Sequence, residues 1–166
     1  MAMFLRRIIW FICLMLVQVW ICNYIHIWGM GTPLIYLYFI FKLDSECGRK
    51  ELLLWSFAIG LCIDMFCNTP GMNAAATTML GLCRPQLLRM QLQRDTDDSF
   101  EPGIRMMGFS PFLRYILTGV LLHTLFLNLL DSFTLFRIKY MLLNILAGTT
   151  MTVFCIMCLD TLRREK

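Results

Sequence analysis

A chain of 166 residues that is 58% hydrophobic, only 16% charged and has a mean hydropathy of +0.67 cannot hide its apolar side chains in a water-soluble core. The composition excludes an ordinary soluble domain and assigns the whole length to one integral membrane domain, an all-α polytopic helical bundle. The net charge of +4 needs no nucleic acid to explain it, because the basic residues are spread between apolar runs and form no patch interleaved with aromatics.

A helix crossing a bilayer needs about 20 residues, roughly 17 to 25. The first apolar run, 8–27, follows Arg6 and Arg7. Its far end reads Cys22, Asn23, Tyr24, Ile25, His26, with no small-residue cleavage site, so a retained transmembrane helix is expected rather than a signal peptide. The next segment, 33–43, is short. It is either a stubby span or a re-entrant piece, which is tolerated only when packed against protein. Two further segments, 52–67 and 72–88, flank the stretch "DMFCNTPGMN", and the second of them is interrupted by Arg84 and Pro85. A loop over 89–110 follows. Its "QRDTDDSFEPG" reads as a solvated mixed-charge stretch rather than a metal site, although Asp95, Asp97, Asp98 and Glu101 cluster there, and its "IRMMGF" suits a membrane interface. Segments 111–130 and 140–159 have full spanning length.

With 33–43 included, six transmembrane helices are expected. If the N-terminus is cytoplasmic, every basic residue except Arg137 and Lys139 then falls inside, as the positive-inside rule requires. Five spans would put Arg163, Arg164 and Lys166 on the wrong side. The expectation is therefore six spans with both termini cytoplasmic.

The polar residues within these runs are the candidate functional positions. Asp64 closes the third segment, and Thr69 and Pro70 suit the N-cap and first position of the next helix. The free N–H groups of that helix point back toward Asp64, which predicts a carboxylate stapling two helices. The other reading is that an intramembrane acid marks a pathway, ligand or partner site. Gly60 lies one turn before Asp64, and Gly119 stands the same way before His123. Asn73, Thr77 and Gly81 share one face of the fourth helix; Asn144, Gly148, Thr152 and Cys155 share one face of the last. Asn23, Asp64, Asn73, His123, Asn128 and Asn144 all fall in the outer half of the six-span topology. They are either interhelical hydrogen-bonding contacts or the wall of a polar cavity open to the outside. The two small-residue helices, "NAAATTMLG" and "NILAGTTMT", are expected to be central.

No nucleophile elbow, zinc-protease motif or phosphate-binding loop is present, so no enzymatic activity, cofactor or metal is expected. The eight cysteines lie mostly in apolar runs and read as small packing residues. Cys155 and Cys158 spell C-x-x-C inside a membrane helix, and with His26 and His123 they give no metal-ligand spacing.

The segment "FAIGLCIDMFCNTPGMNAAATTMLG" resembles the signature region of the MreD family of bacterial rod shape-determining membrane proteins. The matching positions are Gly60, Leu61, Asp64, Pro70, Gly71, Asn73 and Ala74, and the chain length, six-span layout and short second segment resemble that family too. A cysteine- and methionine-rich signature and a long 89–110 loop depart from it. The resemblance implies a non-enzymatic subunit of the elongation complex in the bacterial cytoplasmic membrane. Its implied partners are an MreC-type protein, MreB filaments, the SEDS glycosyltransferase with its transpeptidase, and membrane lipid. It also implies similarity to the substrate-binding subunits of energy-coupling-factor (ECF) vitamin transporters, and such a ligand-binding subunit is the alternative function. Those subunits often dock through small residues on the first helix, whereas "RRIIWFICLMLVQVWICNYI" has neither alanine nor glycine.

Overall fold

A computed structural model describes residues 2–24, 32–45, 47–91, 100–131 and 138–164. Regular structure among them is helical throughout, with no strand. Helix α1 (Ala2–Trp20) ends in a single 3-10 turn, Cys22–Tyr24. It is followed by α2 (Leu37–Lys42), α3 (Arg49–Cys67), α4 (Met72–Gln91), α5 (Ile104–Met107), α6 (Phe109–Asp131) and α7 (Ile138–Arg164).

Three helical stretches among the described residues are long and apolar enough to cross a membrane: Phe4–Tyr24, Phe109–Asp131 and Met141–Arg163. At 1.5 Å per residue the two of 23 residues rise about 35 Å, more than the roughly 30 Å of a hydrocarbon core. The chain is a helical membrane protein, but length and hydropathy mark three crossing helices rather than the six expected. The α3 and α4 helices have 19 and 20 residues and a more polar make-up.

The largest departure concerns 33–43. Its helical part, α2, has six residues and rises only about 9 Å. It lies inside the protein: Tyr36, Leu37, Ile40 and Phe41 are fully buried, and Tyr38 and Phe39 nearly so. The segment runs beside α7, with the Leu34 N–H donating to Thr152 Oγ1 (2.9 Å) and the Tyr38 hydroxyl to Asp160 Oδ1 (3.0 Å). The second departure is at Pro85. The expected interruption at Arg84 and Pro85 does not break the helix: Pro85 sits within α4, which continues to Gln91. Pro85 removes one backbone donor, but the turn is anchored by its neighbour Arg84. The buried guanidinium donates from Nε to the Tyr115 hydroxyl (3.0 Å) and from Nη2 to the carbonyls of Phe41 (3.3 Å) and Leu43. Arg84 thus satisfies carbonyls at the C-terminal end of α2.

Small residues bring the central helices together. A Cβ on Gly60 would meet the Thr77 hydroxyl, with Ala74 Cα at 2.6 Å and the Asn73 carbonyl oxygen at 2.7 Å. On Gly119 it would meet the Phe41 ring, which packs into the α6 groove. Helix α4 packs against both α3 and α6, the central position its small residues predict. Helix α7 packs on α6 and α5 and buries Ile145, Thr149, Thr152, Val153, Ile156 and Asp160.

Candidate functional site

The site is built around the four-residue connection between α3 and α4. Asn68 adopts a left-handed conformation (φ 56°) and Gly71 another (φ 79°), which reverses the chain within 68–71. The first helical bond of α4 runs from the Ala75 N–H to the Gly71 carbonyl (3.0 Å), so Gly71 takes the cap position. This corrects the expected start: Thr69 and Pro70 lie in the turn, before the helix. Gly71 has no side chain with which to cap, and Asp64 does so from the preceding helix. Its Oδ1 accepts from the Asn73 N–H (3.0 Å) and its Oδ2 from the Ala74 N–H (2.8 Å). These are the second and third residues of α4, whose amides a conventional N-cap side chain would satisfy. The helix staple that the spacing predicts is therefore present in the geometry.

Asp64 also organises side chains. The Thr69 hydroxyl donates to Oδ1 (2.8 Å), and Asn73 Nδ2 donates both to Oδ1 (2.9 Å) and to Thr69 Oγ1 (3.0 Å). A carboxylate only accepts, so the Asn73 amide must face it with nitrogen, and its oxygen must face away. That oxygen accepts from the Tyr36 hydroxyl (3.1 Å). Tyr36, having donated its proton, accepts from His123 Nε2 (3.3 Å). One continuous chain runs Asp64, Asn73, Tyr36, His123, and it assigns a proton to His123 Nε2. Its Nδ1 is buried and has no partner among the described residues.

Beside this chain lies a cavity of about 380 Å³, bounded by the ends of α1, α3 and α6 and the start of α4. Gln18, Asn23, Tyr36, Thr69, Asn73 and Asn128 supply polar wall, and Leu34, Ile63, Met72 and Leu127 supply apolar wall. Gln18, fully buried, braces it: Nε2 donates to Asn23 Oδ1 (3.1 Å) and the Pro33 carbonyl (3.0 Å), and Oε1 accepts from the Ile35 N–H (2.8 Å).

Asp64, Asn73 and His123 are therefore joined; Gly60, Pro70 and Gly71 form the hairpin that presents them. Asn144 is half-buried on α7 and is not part of the cavity wall. His26 lies outside the described residues. Sequence reasoning did not single out Gln18 or Tyr36. Gln18 carried a signal, as an amide in the middle of the apolar run 8–27; Tyr36 carried none.

The opposite end of the bundle is charged. Asp160, nearly buried on α7, accepts from the Tyr38 hydroxyl and the Ile104 N–H (2.9 Å) and pairs with Lys42 (2.9 Å). Glu101 faces Arg163 (2.8 Å), Lys42 (3.6 Å) and Arg6 (3.6 Å), while Arg7 joins Asp44 (2.5 Å) and Glu51 (2.6 Å). This corrects the expectation of a solvated loop for Glu101, which is docked; Asp95, Asp97 and Asp98 lie outside the described residues. The start of α1 and the end of α7 meet there, with the Arg163 guanidinium 4.7 Å from the centre of the Trp10 ring. Comparison with protein-family models, curated proteins and solved structures returns no match.

Proposed function

We propose that this chain is a non-enzymatic membrane subunit of MreD type, a scaffold in the complex that builds the lateral wall of rod-shaped bacteria. The observation that carries the reading is the hairpin that bears the resembling residues: Asp64 bonds to Asn73 and Ala74 at the start of α4, Pro70 and Gly71 lie in the turn, and Gly60 admits α4 closely. In this reading the chain passes six times between its two ends, in a fold similar to ECF substrate-binding subunits. Two pairs of contacts support six passes: 32–43 lies at Thr152 by Leu34 and at Asp160 by Lys42, and Arg6 and Arg163 share Glu101. The charged end then faces the cytoplasm with both termini, in keeping with the distribution of basic residues.

The test is retrieval of partners. Pull-down of the tagged chain in mild detergent is expected to recover an MreC-type protein, with MreB and the SEDS glycosyltransferase and its transpeptidase further along the complex. Depletion in a rod-shaped host is expected to give rounded cells. Unchanged shape with no MreC-type protein recovered refutes the proposal. A second reading, a substrate-binding subunit of an ECF-type transporter, is favoured by one observation, the polar cavity. Recovery of a transporter ATPase would select it.

A further inference from the structure

The cavity at the hairpin end has a polarity that can be read from its hydrogen-bond inventory. Most donors in its wall are already used within the wall. Both N–H groups of the Gln18 amide are committed, as are both of Asn73 and the hydroxyl protons of Thr69 and Tyr36. Asn128 donates to the Thr124 carbonyl (2.8 Å), which orients its Nδ2 into α6 and leaves its oxygen as an acceptor. Asp131, exposed at the rim, adds a carboxylate. A second carboxylate, Asp64, lies directly behind Thr69 and Asn73. No lysine or arginine is among the described wall residues. The amide oxygens of Gln18, Asn23 and Asn73 are likewise taken within the protein, so the charged group left facing the cavity among the described wall residues is the Asp131 carboxylate. The cavity's volume is within the range of roughly 300–1,000 Å³ seen for small-ligand sites.

We propose that this cavity binds a small organic cation, an amine or ammonium compound, with its charged group toward Asp131 and the Asn128 oxygen. Its carbon skeleton lies against Leu34, Ile63, Met72 and Leu127. An anion would face the Asp131 carboxylate, with Asp64 behind the wall and no lysine or arginine among the described wall residues, and a ligand offering only acceptors would leave Asp131 and the Asn128 oxygen without a donor. The inference stands apart from the scaffold reading, since a subunit of the elongation complex and a transport subunit would present the same wall. Partner pull-down and ligand binding therefore fail or succeed separately.

The test uses the full chain in detergent micelles, with unfolding followed by tryptophan fluorescence. The probes are choline and putrescine as chlorides, with sodium acetate and glycerol as anionic and neutral controls at matched ionic strength. At least one cationic probe is expected to raise the unfolding midpoint by several degrees in a saturable manner, as mass action requires of a ligand that binds only the folded state. Asp131→Asn, at an exposed position that leaves folding intact, is expected to lower the apparent affinity by about tenfold, and Asn128→Leu to abolish the shift. Absence of any saturable shift from either cation overturns the proposal. So does a shift from acetate or glycerol as large as that from the cations, or a choline shift unchanged by Asp131→Asn.

Discussion

Removing the Asp64 carboxylate tests the hairpin directly, and the structure sets the size of the effect. Four hydrogen bonds converge on it: Oδ1 takes Thr69, the Asn73 N–H and Asn73 Nδ2, and Oδ2 takes the Ala74 N–H. Asp64→Asn keeps one oxygen. With that oxygen in the Oδ1 position, the new amide nitrogen faces the Ala74 N–H, a donor against a donor. The loss is one charge-assisted bond plus one stranded backbone amide, about 2 kcal/mol. Asp64→Leu strands two backbone amides at a buried helix start. The Thr69 and Asn73 side chains can turn toward the cavity, but the backbone N–H groups of Asn73 and Ala74 cannot. At roughly 1–3 kcal/mol for each, the cost is about 4 kcal/mol. Helix-start stabilisation of the ordinary kind is worth only about 1 kcal/mol, so the excess measures burial. Denaturant unfolding in micelles, with membrane abundance measured in cells, supplies the assay. The expected order is parent, Asn, Leu, with abundance falling in the same order. An Asp64→Leu protein within about 0.5 kcal/mol of the parent refutes the capping argument. An Asp64→Asn protein of normal stability and abundance that fails in shape control would instead assign Asp64 to a partner or ligand contact.

Three other perturbations follow from the contacts. Gly60→Ala would place a Cβ 2.6 Å from Ala74 Cα, against backbone that cannot yield, and is expected to cost about 2 kcal/mol or more in unfolding free energy; Gly48→Ala, with open space around it, should stay within about 0.5 kcal/mol. Tyr36→Phe removes the link between the Asn73 oxygen and His123 and is expected to cost about 2 kcal/mol, with most of that loss absent when His123→Leu is already present. Lys42→Met leaves Asp160 without its cation in a buried setting and is expected to cost about 3–5 kcal/mol. Adding Asp160→Leu should recover part of that loss, limited by the Tyr38 hydroxyl and Ile104 N–H that then lose their acceptor.

What the sequence made legible was local. Asp64 and the start of α4 are nine and ten residues apart across a turn marked by Pro70 and Gly71, so chain connectivity alone puts them within reach. The network around Asp160 joins residues 56 to 122 positions apart in helices whose mutual placement no local pattern states. Asp160 stands one residue beyond the expected 140–159 segment, so it lacked the mark that singled out Asp64, and nothing pointed to Lys42 or Ile104 as its partners. The 33–43 segment was ambiguous for a related reason. In a soluble helix, alternation of polar and apolar residues shows which side faces the core. In a membrane helix the lipid-facing and protein-facing sides are both apolar, and that signal disappears. Hydropathy could not distinguish a short span from the fully buried α2, and the cavity depended on Tyr36, an aromatic residue within that segment.

The pairing of α3 with α4 shows how a bilayer protein sets register without such a pattern. Apolar contact between helices offers little advantage over contact with lipid, so small and polar residues must decide the alignment. Three pairs do so here: Asp64 with Asn73, Gly60 with Thr77, and Ser56 with Gly81. Along α3 they step back by four residues, along α4 forward by four, as expected for two antiparallel helices keeping one face each. At the turn the pairing is a hydrogen bond. One turn further in, Gly60 admits the Thr77 hydroxyl, whose own proton goes to the Asn73 carbonyl (2.7 Å). At the third level the roles reverse, and Gly81 admits Ser56, which donates to the Leu52 carbonyl (2.8 Å). A slip of one helical turn would set either Gly60 against Gly81, leaving a gap, or Thr77 against Ser56, with no glycine to admit a side chain, and in both cases would move Asp64 away from the amides it caps. The hairpin can therefore hold Asn73 at a fixed height, facing Tyr36, even though most of its surface is no better suited to protein than to lipid.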